Sequence, residues 1–435
     1  MIFNTNCTGF KKRALKFFFS DCKKYLVICM QIRYNNNKHK FKHGGLMKIY
    51  KAYKLRLYPT IEQTILINKN IGSSRFIYNY FLDKKENNYK KTKTNLSLKT
   101  MKHMLVELKQ EEKYKWFCEV DSMSLTNTLE SLDTAYTNYF KYKKNKPVFK
   151  KREVHESYTT NCIRSTYKDN NYSNILIDFE NKTIKLPKLG LVNFKGYRNK
   201  TNFNGRIISA TISKEVNKYY VSVTVEEEIE KINVSTSLDA VGLDVGVKSL
   251  VVTSTGEEYS KLDNSRIEKH IEDLQRKLSI KVKGSNNYKK LKTKIGRLYM
   301  KLRNRRKFYI HEITNKITKE NNVIVTENLK VKEMITNGTR KLRKGIINAS
   351  LRELERQLEY KSKWRDKTLI KINTYYPSSQ VCSSCGYQNK SIKDLSIRSW
   401  SCPKCNHEHE RDLNASINIL FQGLLKLNGL KEVKI

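Results

Sequence analysis

The sequence is short of acidic residues. It contains 42 Asp and Glu against 86 Lys and Arg in 435 residues, which gives a formal net charge of +44. A protein with this excess of one sign repels itself unless a polyanion neutralises it, so the composition indicates nucleic acid as a partner. A genome that overuses lysine is the alternative explanation. Hydrophobic residues make up 38% of the chain, which excludes a wholly disordered basic tail.

Long apolar runs are also missing. The most apolar early segment, residues 25–32, is far shorter than the ~20 residues that cross a bilayer. Asp21, Lys23 and Lys24 separate this segment from the phenylalanines that precede it. The sequence therefore predicts neither a membrane span nor a secretion signal. We expect an intracellular protein with no membrane partner.

The first 46 residues are unlike the remainder, because they show no clear amphipathic period. Gly44 and Gly45 precede Met47, and consecutive glycine codons can encode a ribosome-binding sequence just ahead of a start codon. We therefore expect translation to start at Met47, with residues 1–46 as an extension that is not translated. A translated flexible arm is the alternative.

From residue 47 onward the spacing of apolar residues changes along the chain. Residues 47–59 alternate as a β-strand, residues 60–150 have helical spacing, and residues 157–226 alternate again between predicted turns. A third region begins near residue 239 with two strands that a tight turn joins near Gly246. The sequence therefore predicts strands, then helices, then strands, followed by a separate region of mixed structure.

The helical part carries two local signals. Thr60 and Gln63 are spaced for a capping box at the start of the first helix. Farther along, apolar residues recur every three or four positions, which predicts that all of them are buried on one stripe. The members of this stripe are Leu125, Leu129, Leu132, Tyr136 and Phe140.

A strongly basic segment follows the third region's first strands. Apolar spacing over residues 267–278 and 291–302 predicts a helical hairpin with a break near Gly284. Residues 281–307 contain twelve Lys and Arg and no Asp or Glu. Solvated helix faces normally mix the two signs, so we predict phosphate contacts and keep a solvated face as the alternative. The predicted nucleic-acid-binding residues are Lys289, Lys290, Arg297, Arg305 and Arg306.

Three acidic residues lie in apolar surroundings. Asp244 lies within one predicted strand, Glu327 ends another, and Asp412 is near the first turn of an apolar helix. A buried carboxylate without a partner is costly, so we expect a cationic group beside Asp244. Each acid alone is more typical of a helix cap or a surface. Together they are the components of a two-metal site, in which Mg²⁺ ions about 4 Å apart support phosphodiester hydrolysis. We therefore predict two catalytic Mg²⁺ ions.

Four of the nine cysteines are clustered, whereas the other five are scattered singly and do not form a disulfide framework. Cys382 and Cys385 form one CxxC pair, and Cys402 and Cys405 form a second pair after sixteen intervening residues. Two such pairs predict one structural Zn²⁺ held by four thiolates. Since four thiolates complete the tetrahedron, the histidines that follow are not needed as ligands. We expect this site to fix the chain just before the third acidic residue.

Seven segments of the chain resemble one known family. In order they are MKIYKAYKLRLYPT, IGSSRFIYNYFL, LDTAYTNYF with KPVFKK, GLDVGVKSLV, VTENLKVKEM, YYPSSQVCSSCG and RSWSCPKCNHEHERDLNASINIL. They resemble TnpB proteins of bacterial insertion sequences, which are relatives of the compact type V CRISPR effectors. The resemblance extends from Met47 to near Asn428, and its last two segments are highly specific. Residues 1–46 depart from it.

The resemblance implies a multidomain α/β protein. It implies an RNase H-like (RuvC) nuclease domain with an inserted zinc ribbon, and a β-barrel wedge domain with an inserted helical recognition domain. Asp244, Glu327 and Asp412 then occupy the three catalytic acid positions. The implied boundaries are 239–376 and 407–428 for the nuclease domain, 377–406 for the ribbon, 47–59 and 156–230 for the wedge, 60–155 for the helical domain and 429–435 for a tail.

The family is implied to bind a guide RNA transcribed from its element's own end, to pair it with target DNA beside a short adjacent motif, and to cut that DNA. Only one acidic triad is visible, so one site would cut both strands in turn, each as an accessible single strand. Guide pairing displaces the other strand in a nearly balanced exchange, which protein contacts must favour. The resemblance implies a cytoplasmic prokaryotic protein that joins the nucleoid when bound to DNA.

Three alternative functions stay open. A nuclease-inactive RNA-guided DNA-binding repressor should have lost an acid, whereas all three acids are present. A compact type V CRISPR effector would have an adjacent repeat array. A transposase that itself joins DNA should show a Tyr nucleophile with paired His ligands, and the eight histidines form no such motif. The sequence does not indicate an oligomeric state.

Overall fold

The computed structural model describes residues 46–154, 156–167, 170–196, 202–230, 239–394 and 396–429. The predicted N-terminal extension lies outside these residues except for Leu46, and the predicted tail lies outside them except for Gly429. One compact unit comprises Leu46–Glu230, and the chain after it belongs to a second unit. Of the described helices, none combines the length and the apolar character that crossing a bilayer requires.

The first unit is built on an antiparallel sheet. Its described strands are β1 (Leu46–Tyr58), β2 (Ser157–Asn161), β3 (Arg164–Tyr167), β4 (Asn170–Ser173), β5 (Leu176–Asp178), β6 (Thr183–Leu186), β7 (Gly190–Lys195), β8 (Arg206–Glu215) and β9 (Lys218–Glu230). Seven strands pair in the order β2-β8-β9-β1-β7-β6-β5, while β3 and β4 form a separate hairpin. Leu55 and Leu57, which are two residues apart on β1, both belong to a single core that also contains Tyr158 of β2 and Ile184 of β6. The sheet therefore curls around one core, although β2 and β5 stay unpaired with each other in the described part of the chain.

Helices occupy the chain between β1 and β2. They are α1 (Ile61–Thr92), α2 (Leu98–Gln110), a 3₁₀ helix (Glu112–Glu119) and α3 (Ser122–Tyr142). The predicted capping box is confirmed: Gln63 N donates to Thr60 Oγ1 at 3.2 Å, and Thr60 N donates to Gln63 Oε1 at 3.0 Å. The helices therefore start where the sequence predicts.

The predicted apolar stripe on α3 is confirmed for its first four residues and wrong for Phe140. That ring is 73% exposed. Phe140 lies in the last turn of α3, beyond the core, and packs on Tyr136 and Tyr139 of its own helix. The predicted helical region also ends early, since residues 143–154 contain no helix. Pro147 opposes its continuation, because proline disfavours helix in the residue before it and removes a donor.

The second unit contains a five-stranded mixed sheet with helices on both faces. Its strands are β10 (Ala240–Asp244), β11 (Ser249–Thr253), β12 (Glu258–Ser260), β13 (Val323–Glu327) and β14 (Thr368–Ile372), with a separate pair β15 (Ser399–Ser401) and β16 (Glu408–Glu410). The helices are α4 (Ser265–Ser279), α5 (Asn286–Glu320), α6 (Val331–Asn337), α7 (Arg340–Ala349), α8 (Leu351–Trp364) and α9 (Arg411–Leu427). The predicted hairpin is confirmed as α4 and α5, and Gly284 has φ +90° in its turn.

The sheet order is β12-β11-β10-β13-β14. Strands β10, β13 and β14 run parallel, and β11 is antiparallel to β10 across the predicted turn near Gly246. Successive residues of β13 point to opposite faces: Ile324 joins a core with Ile313 of α5, whereas Val325 joins a second core with Ile419 of α9. The strand is therefore buried on both faces, as its continuous apolar sequence requires.

Candidate active site and metal centre

Two predicted acids end neighbouring parallel strands. Asp244 is the last residue of β10 and Glu327 is the last residue of β13. The strands pair in register, with Leu243 opposite Thr326, so the two acids follow at equivalent positions. The carboxyl ends of parallel strands form one edge of a sheet, which is where open α/β sheets bind ligands. The fold thus brings two residues that are distant in sequence to the same edge.

Helix α9 brings the third acid to this edge, since Asp412 is its second residue. The helix lies very close to the sheet because glycine is present on both sides. A Cβ at Gly242 would lie 2.1 Å from the Ser416 carbonyl oxygen, and one at Gly423 would lie 2.2 Å from Val325 Cγ1. Any side chain at either position would push α9 away from the strands. We call Asp244, Glu327 and Asp412 together the acidic edge.

The acidic edge is electrostatically strained. Burial, together with the negative charges of Glu327 and Asp412, raises the pKa of Asp244 to about 8, whereas Arg411 opposes the shift. Burial also raises the pKa of Glu327. Carboxylates that are buried and repel one another gain stability as anions when a cation binds between them. The donor set therefore fits a hard divalent cation that prefers oxygen ligands.

Two neighbours of the acidic edge were not predicted from the sequence. Ser378 Oγ donates to Glu327 Oε1 at 2.6 Å. Arg398 Nη1 lies 3.3 Å from Asp412 Oδ1 and 3.4 Å from Oδ2. A single serine and a single arginine outside any strand or helix have no periodic pattern that singles them out. The available signal was their position inside YYPSSQVCSSCG and RSWSCPKC, the two segments that carry the most specific resemblance.

The four predicted cysteine ligands meet in one place, which we call the cysteine centre. The Sγ atoms of Cys382 and Cys405 are 3.7 Å apart, and those of Cys385 and Cys402 are 3.6 Å apart. A tetrahedron with Zn–S bonds of about 2.3 Å has edges of roughly 3.8 Å, so these distances fit a bound Zn²⁺. Burial raises the pKa of the Cys382 thiol, and burial together with the three neighbouring thiols raises that of Cys385 to about 12. A metal ion is the group that would hold such thiols as thiolates.

The turns after each cysteine pair have the backbone that this geometry needs. Gly386 has φ +77° and Asn406 has φ +54°, as their residue types predict. His409 lies beside the four cysteines and does not belong to the set whose ligand atoms meet. Its Nε2 lies 3.0 Å from Cys382 Sγ, and its ring packs 4.6 Å from Trp400. His409 therefore contacts the Cys382 thiol and helps to hold it in place.

Among the described residues, the cysteine centre is the only set of three or more His, Cys, Asp or Glu whose ligand atoms all lie within 4.8 Å of one another. The three carboxylates of the acidic edge are not part of such a set. In two-metal sites different carboxylates reach different ions, so three carboxylates need not meet at one point.

Buried amide side chains tie the cysteine-bearing segment to the start of α9. Asn414 Nδ2 donates to the Val381 carbonyl at 2.8 Å, and Asn414 Oδ1 accepts from Ser383 N at 2.8 Å. Asn418 Nδ2 donates to the Ser378 carbonyl at 2.9 Å. These bonds fix the first turns of α9, where Asp412 lies. The expectation that the ribbon fixes the chain near Asp412 therefore has a structural basis.

The predicted phosphate-binding residues divide into two groups. Lys289, Lys290, Arg297 and Arg305 are exposed on α5. Arg306 differs, because its side chain is only 13% exposed and pairs with Glu268 of α4 at 3.0 Å. Its guanidinium also donates to Asn348 Oδ1 of α7 at 2.8 Å. Since these bonds link three helices, we correct the prediction and remove Arg306 from the proposed contact set.

Models of known protein families match three segments of the chain. Profiles described as "Helix-turn-helix domain", "Probable transposase" and "Cas12f1-like, TNB domain" match residues 47–94, 220–338 and 352–419. In this structure residues 47–94 contain strand β1 and helix α1, so the name of the first profile does not describe the local fold.

Two curated relatives cover most of the chain. A "Putative RNA-guided DNA endonuclease" of Streptomyces pristinaespiralis is 29% identical over 87% of this chain and 90% of its own length. InsQ of Escherichia coli (strain K12), which carries the same description, is 31% identical over 87% of this chain and 93% of its own length.

The overall fold has a solved counterpart. The cryo-EM structure of a Cas12f1–sgRNA–target DNA complex aligns with a TM-score of 0.54 at 15% identity, over 86% of this chain and 98% of that one. This likeness shows a shared fold. The identity to InsQ, across nearly the whole length of that protein, shows that the chain belongs to the TnpB family of RNA-guided DNA endonucleases.

Proposed function

We propose that this protein is an RNA-guided DNA endonuclease encoded by a transposable element and that the acidic edge is its hydrolytic site. The observation that carries the proposal is the convergence of three carboxylates at one sheet edge, where burial and mutual repulsion raise the pKa of Asp244 to about 8. Such an arrangement destabilises the folded protein, and carboxyl groups with strongly shifted pKa values are characteristic of functional sites. The net charge of +44 and the family membership identify nucleic acid as the substrate class.

The proposed domains follow from this assignment. The mixed sheet β10–β14 with α9 is the RNase H-like (RuvC) nuclease domain, and residues 377–406 are the inserted zinc ribbon. In the first unit, the curled antiparallel sheet is the wedge domain and α1–α3 form the helical recognition domain. The partners are a guide RNA and a target DNA. Phosphate contacts are assigned to Lys289, Lys290, Arg297 and Arg305.

Two Mg²⁺ ions fit the acidic edge, with Asp244, Glu327 and Asp412 as the residues that would hold them. When bound, such ions activate water and stabilise the leaving oxygen of a phosphodiester. The protein's part is to place the carboxylates. Ser378 orients Glu327 through its hydrogen bond, Gly242 and Gly423 let α9 approach, and the cysteine centre would hold one structural Zn²⁺.

The experiment is a guided cleavage assay on the complex as cells make it. The full chain is expressed together with the DNA that flanks its gene, the co-purified RNA is sequenced, and the complex is mixed with a plasmid library that carries the matching target beside random adjacent sequence. We expect cleavage in Mg²⁺ at one adjacent motif. Replacing the target-matching part of the RNA should move the cut to the new matching sequence.

Two results would contradict the proposal. If the cut position does not change with the guide sequence, the protein is not an RNA-guided endonuclease. Binding to the matched target without any cleavage, across a range of Mg²⁺ concentrations, would favour the nuclease-inactive repressor instead. Purification of the chain without a discrete RNA would contradict both functions.

A further inference from the structure

Helix α1 and the 3₁₀ helix at Glu112–Glu119 border a hollow of about 610 Å³ in the first unit. Its walls include Gly72, Arg75, Phe76, Tyr80 and Trp116, and we call it the aromatic hollow. Phe76 and Trp116 are 37% and 39% exposed, although both are large apolar rings. The volume lies in the range of ordinary ligand sites, about 300–1,000 Å³.

Gly72 has no explanation within the chain. A glycine inside a helix is less stable than an alanine, so it usually has a packing or backbone reason. At Gly72 a Cβ would meet no atom within 4 Å, and the residue is not among those with positive φ. Neither the backbone nor the protein's own packing therefore requires glycine here. Glycine also occurs where a ligand approaches the backbone closely. Of the usual reasons for a glycine inside a helix, this is the one that the structure leaves for Gly72.

Arg75 provides the second observation. It is half-buried beside the aromatic rings, and within the described residues its guanidinium has no hydrogen-bond or ion-pair partner. The neighbouring rim charges are already matched, since Lys69 pairs with Glu119. A guanidinium presents five donors in a fixed plane and suits phosphate groups. The hollow thus combines an unpaired guanidinium, which can bind an anion, with an apolar aromatic wall.

An unpaired nucleotide has both parts, a flat base and an anionic phosphate. A base within a duplex is already stacked and does not enter such a hollow, whereas the loops of a folded RNA present unstacked bases to aromatic side chains. We propose that the aromatic hollow binds one unpaired nucleotide of the guide RNA, with its base against the aromatic wall over Gly72 and its phosphate at Arg75. This inference rests on the proposed function, which supplies the RNA.

The first test fills the hollow. Gly72→Leu adds a side chain where the structure has open space and raises helix propensity, so the protein should fold with unchanged or higher thermal stability. RNA affinity, measured by filter binding with the resynthesised co-purified RNA, should fall about tenfold. Arg75→Gln should weaken binding and reduce the magnitude of the log K against log salt slope by about 0.7. Lys90→Gln, which removes an exposed charge from the same helix, is the matched control and should do neither.

The second test identifies the occupant by ultraviolet crosslinking of the assembled complex. One arm carries 4-thiouridine in the guide RNA and the other carries 4-thiothymidine in the target DNA, and crosslinked peptides are identified by mass spectrometry. We expect an RNA crosslink within the peptide that contains Phe76 or Trp116, and its loss in Gly72→Leu.

Several results would overturn the inference. Unchanged RNA affinity in both variants would remove the site, and a crosslink to DNA alone would replace the occupant. A change of oligomeric state in Gly72→Leu, with RNA binding intact, would assign the hollow to a protein partner. Failure of the wild-type chain to bind any RNA would instead refute the proposed function, which keeps the two failures distinct.

Discussion

The two ligand clusters of the second unit are assembled from different kinds of structure. The cysteine centre takes its ligands from two short turns, each of which supplies a pair of thiols three residues apart. The acidic edge takes one ligand from each of two strands and one from a helix. Turns with fixed spacing make a compact, closed cluster, whereas separate elements make an open one. A closed shell suits a structural metal, and an open one leaves room for a substrate.

The acidic edge nevertheless depends on the cysteine centre through α9. Asn414 and Asn418 of this helix bond to the backbone of the cysteine-bearing segment, while Asp412 of the same helix belongs to the acidic edge. Damage to the cysteine centre should therefore reach the acidic edge, but damage to the acidic edge should leave the cysteine centre intact. This one-way dependence can be tested.

The largest effect is expected at the acidic edge. Asp244→Ala, Glu327→Ala and Asp412→Ala should each reduce cleavage at least 100-fold while guided binding persists, because a lost metal carboxylate removes water activation but few phosphate contacts. Binding is measured by gel shift and zinc by elemental analysis, which should still find one ion per chain. Glu320→Gln, at an exposed acid at the end of α5, is the control and should cleave normally. Activity above a few per cent in any of the three would remove that residue from the site.

Substitution of Mg²⁺ by Ca²⁺ probes the same cluster without a mutation. Ca²⁺ is larger and tolerates irregular coordination, so target binding should persist without cleavage. The zinc content should be unaffected. Cleavage in Ca²⁺ at a rate near that in Mg²⁺ would contradict the assignment of the acids as ligands of catalytic Mg²⁺.

The next effect is expected at the cysteine centre. Cys382→Ser or Cys405→Ser should release zinc, lower solubility and lower cleavage, because the metal holds this segment together. Cys118→Ser changes an exposed cysteine outside the cluster and should retain zinc and activity. Wild-type protein purified without chelator and found free of zinc would refute the zinc assignment. Normal cleavage by a zinc-free variant would refute the dependence between the clusters.

A smaller effect is expected where the clusters are joined. Asn414→Ala leaves the buried Ser383 N–H without its partner, which costs about 1–3 kcal/mol, and removes one of the two amide donors to the Val381 carbonyl. Cleavage should fall about tenfold with zinc content unchanged. Asn428→Ala alters an amide at the far end of the same helix and should change cleavage little. Equal loss in both variants would mean that general helix stability, and not the position of Asp412, is responsible.

The smallest effect on cleavage is expected from the exposed basic residues of α5. Neutralising Lys289, Lys290, Arg297 and Arg305 should weaken binding about equally across target sequences, and each lost phosphate contact should reduce the salt slope by roughly 0.7–0.9. Cleavage of the bound target should change little. Arg306→Gln should instead lower thermal stability, because it removes the ion pair of the buried guanidinium with Glu268 and its hydrogen bond to Asn348. An unchanged slope in the fourfold variant would favour a solvated face.

The sequence predicted those features that depend on local spacing. The cysteine pairs, the capping box at Thr60 and the hairpin turn at Gly284 each depend on a few adjacent residues. The acids were identifiable because carboxylates are unusual within apolar strands and at the start of an apolar helix. Their convergence, however, depends on the register of β10 with β13 and on the approach of α9.

The features that the sequence did not predict depend on tertiary contacts. The spacing of Phe140 fits a buried stripe, but the core ends one turn earlier. Arg306 lies in a run of basic residues and differs from its neighbours only because Glu268 and Asn348 lie beside it. Ser378 and Arg398 are single polar residues whose significance comes from the acids that they contact. In each case the missing information is which element packs against the residue.

The most direct test of the central claim is strand-resolved cleavage. In the proposed mechanism, the one acidic edge cuts both strands of a guided target in turn. The ends on each strand are mapped and timed by sequencing for the wild-type complex and for Asp244→Ala, Glu327→Ala and Asp412→Ala. We predict that each substitution stops the cutting of both strands together. A variant that still cuts one strand at the wild-type rate would show a second active site and would contradict the account.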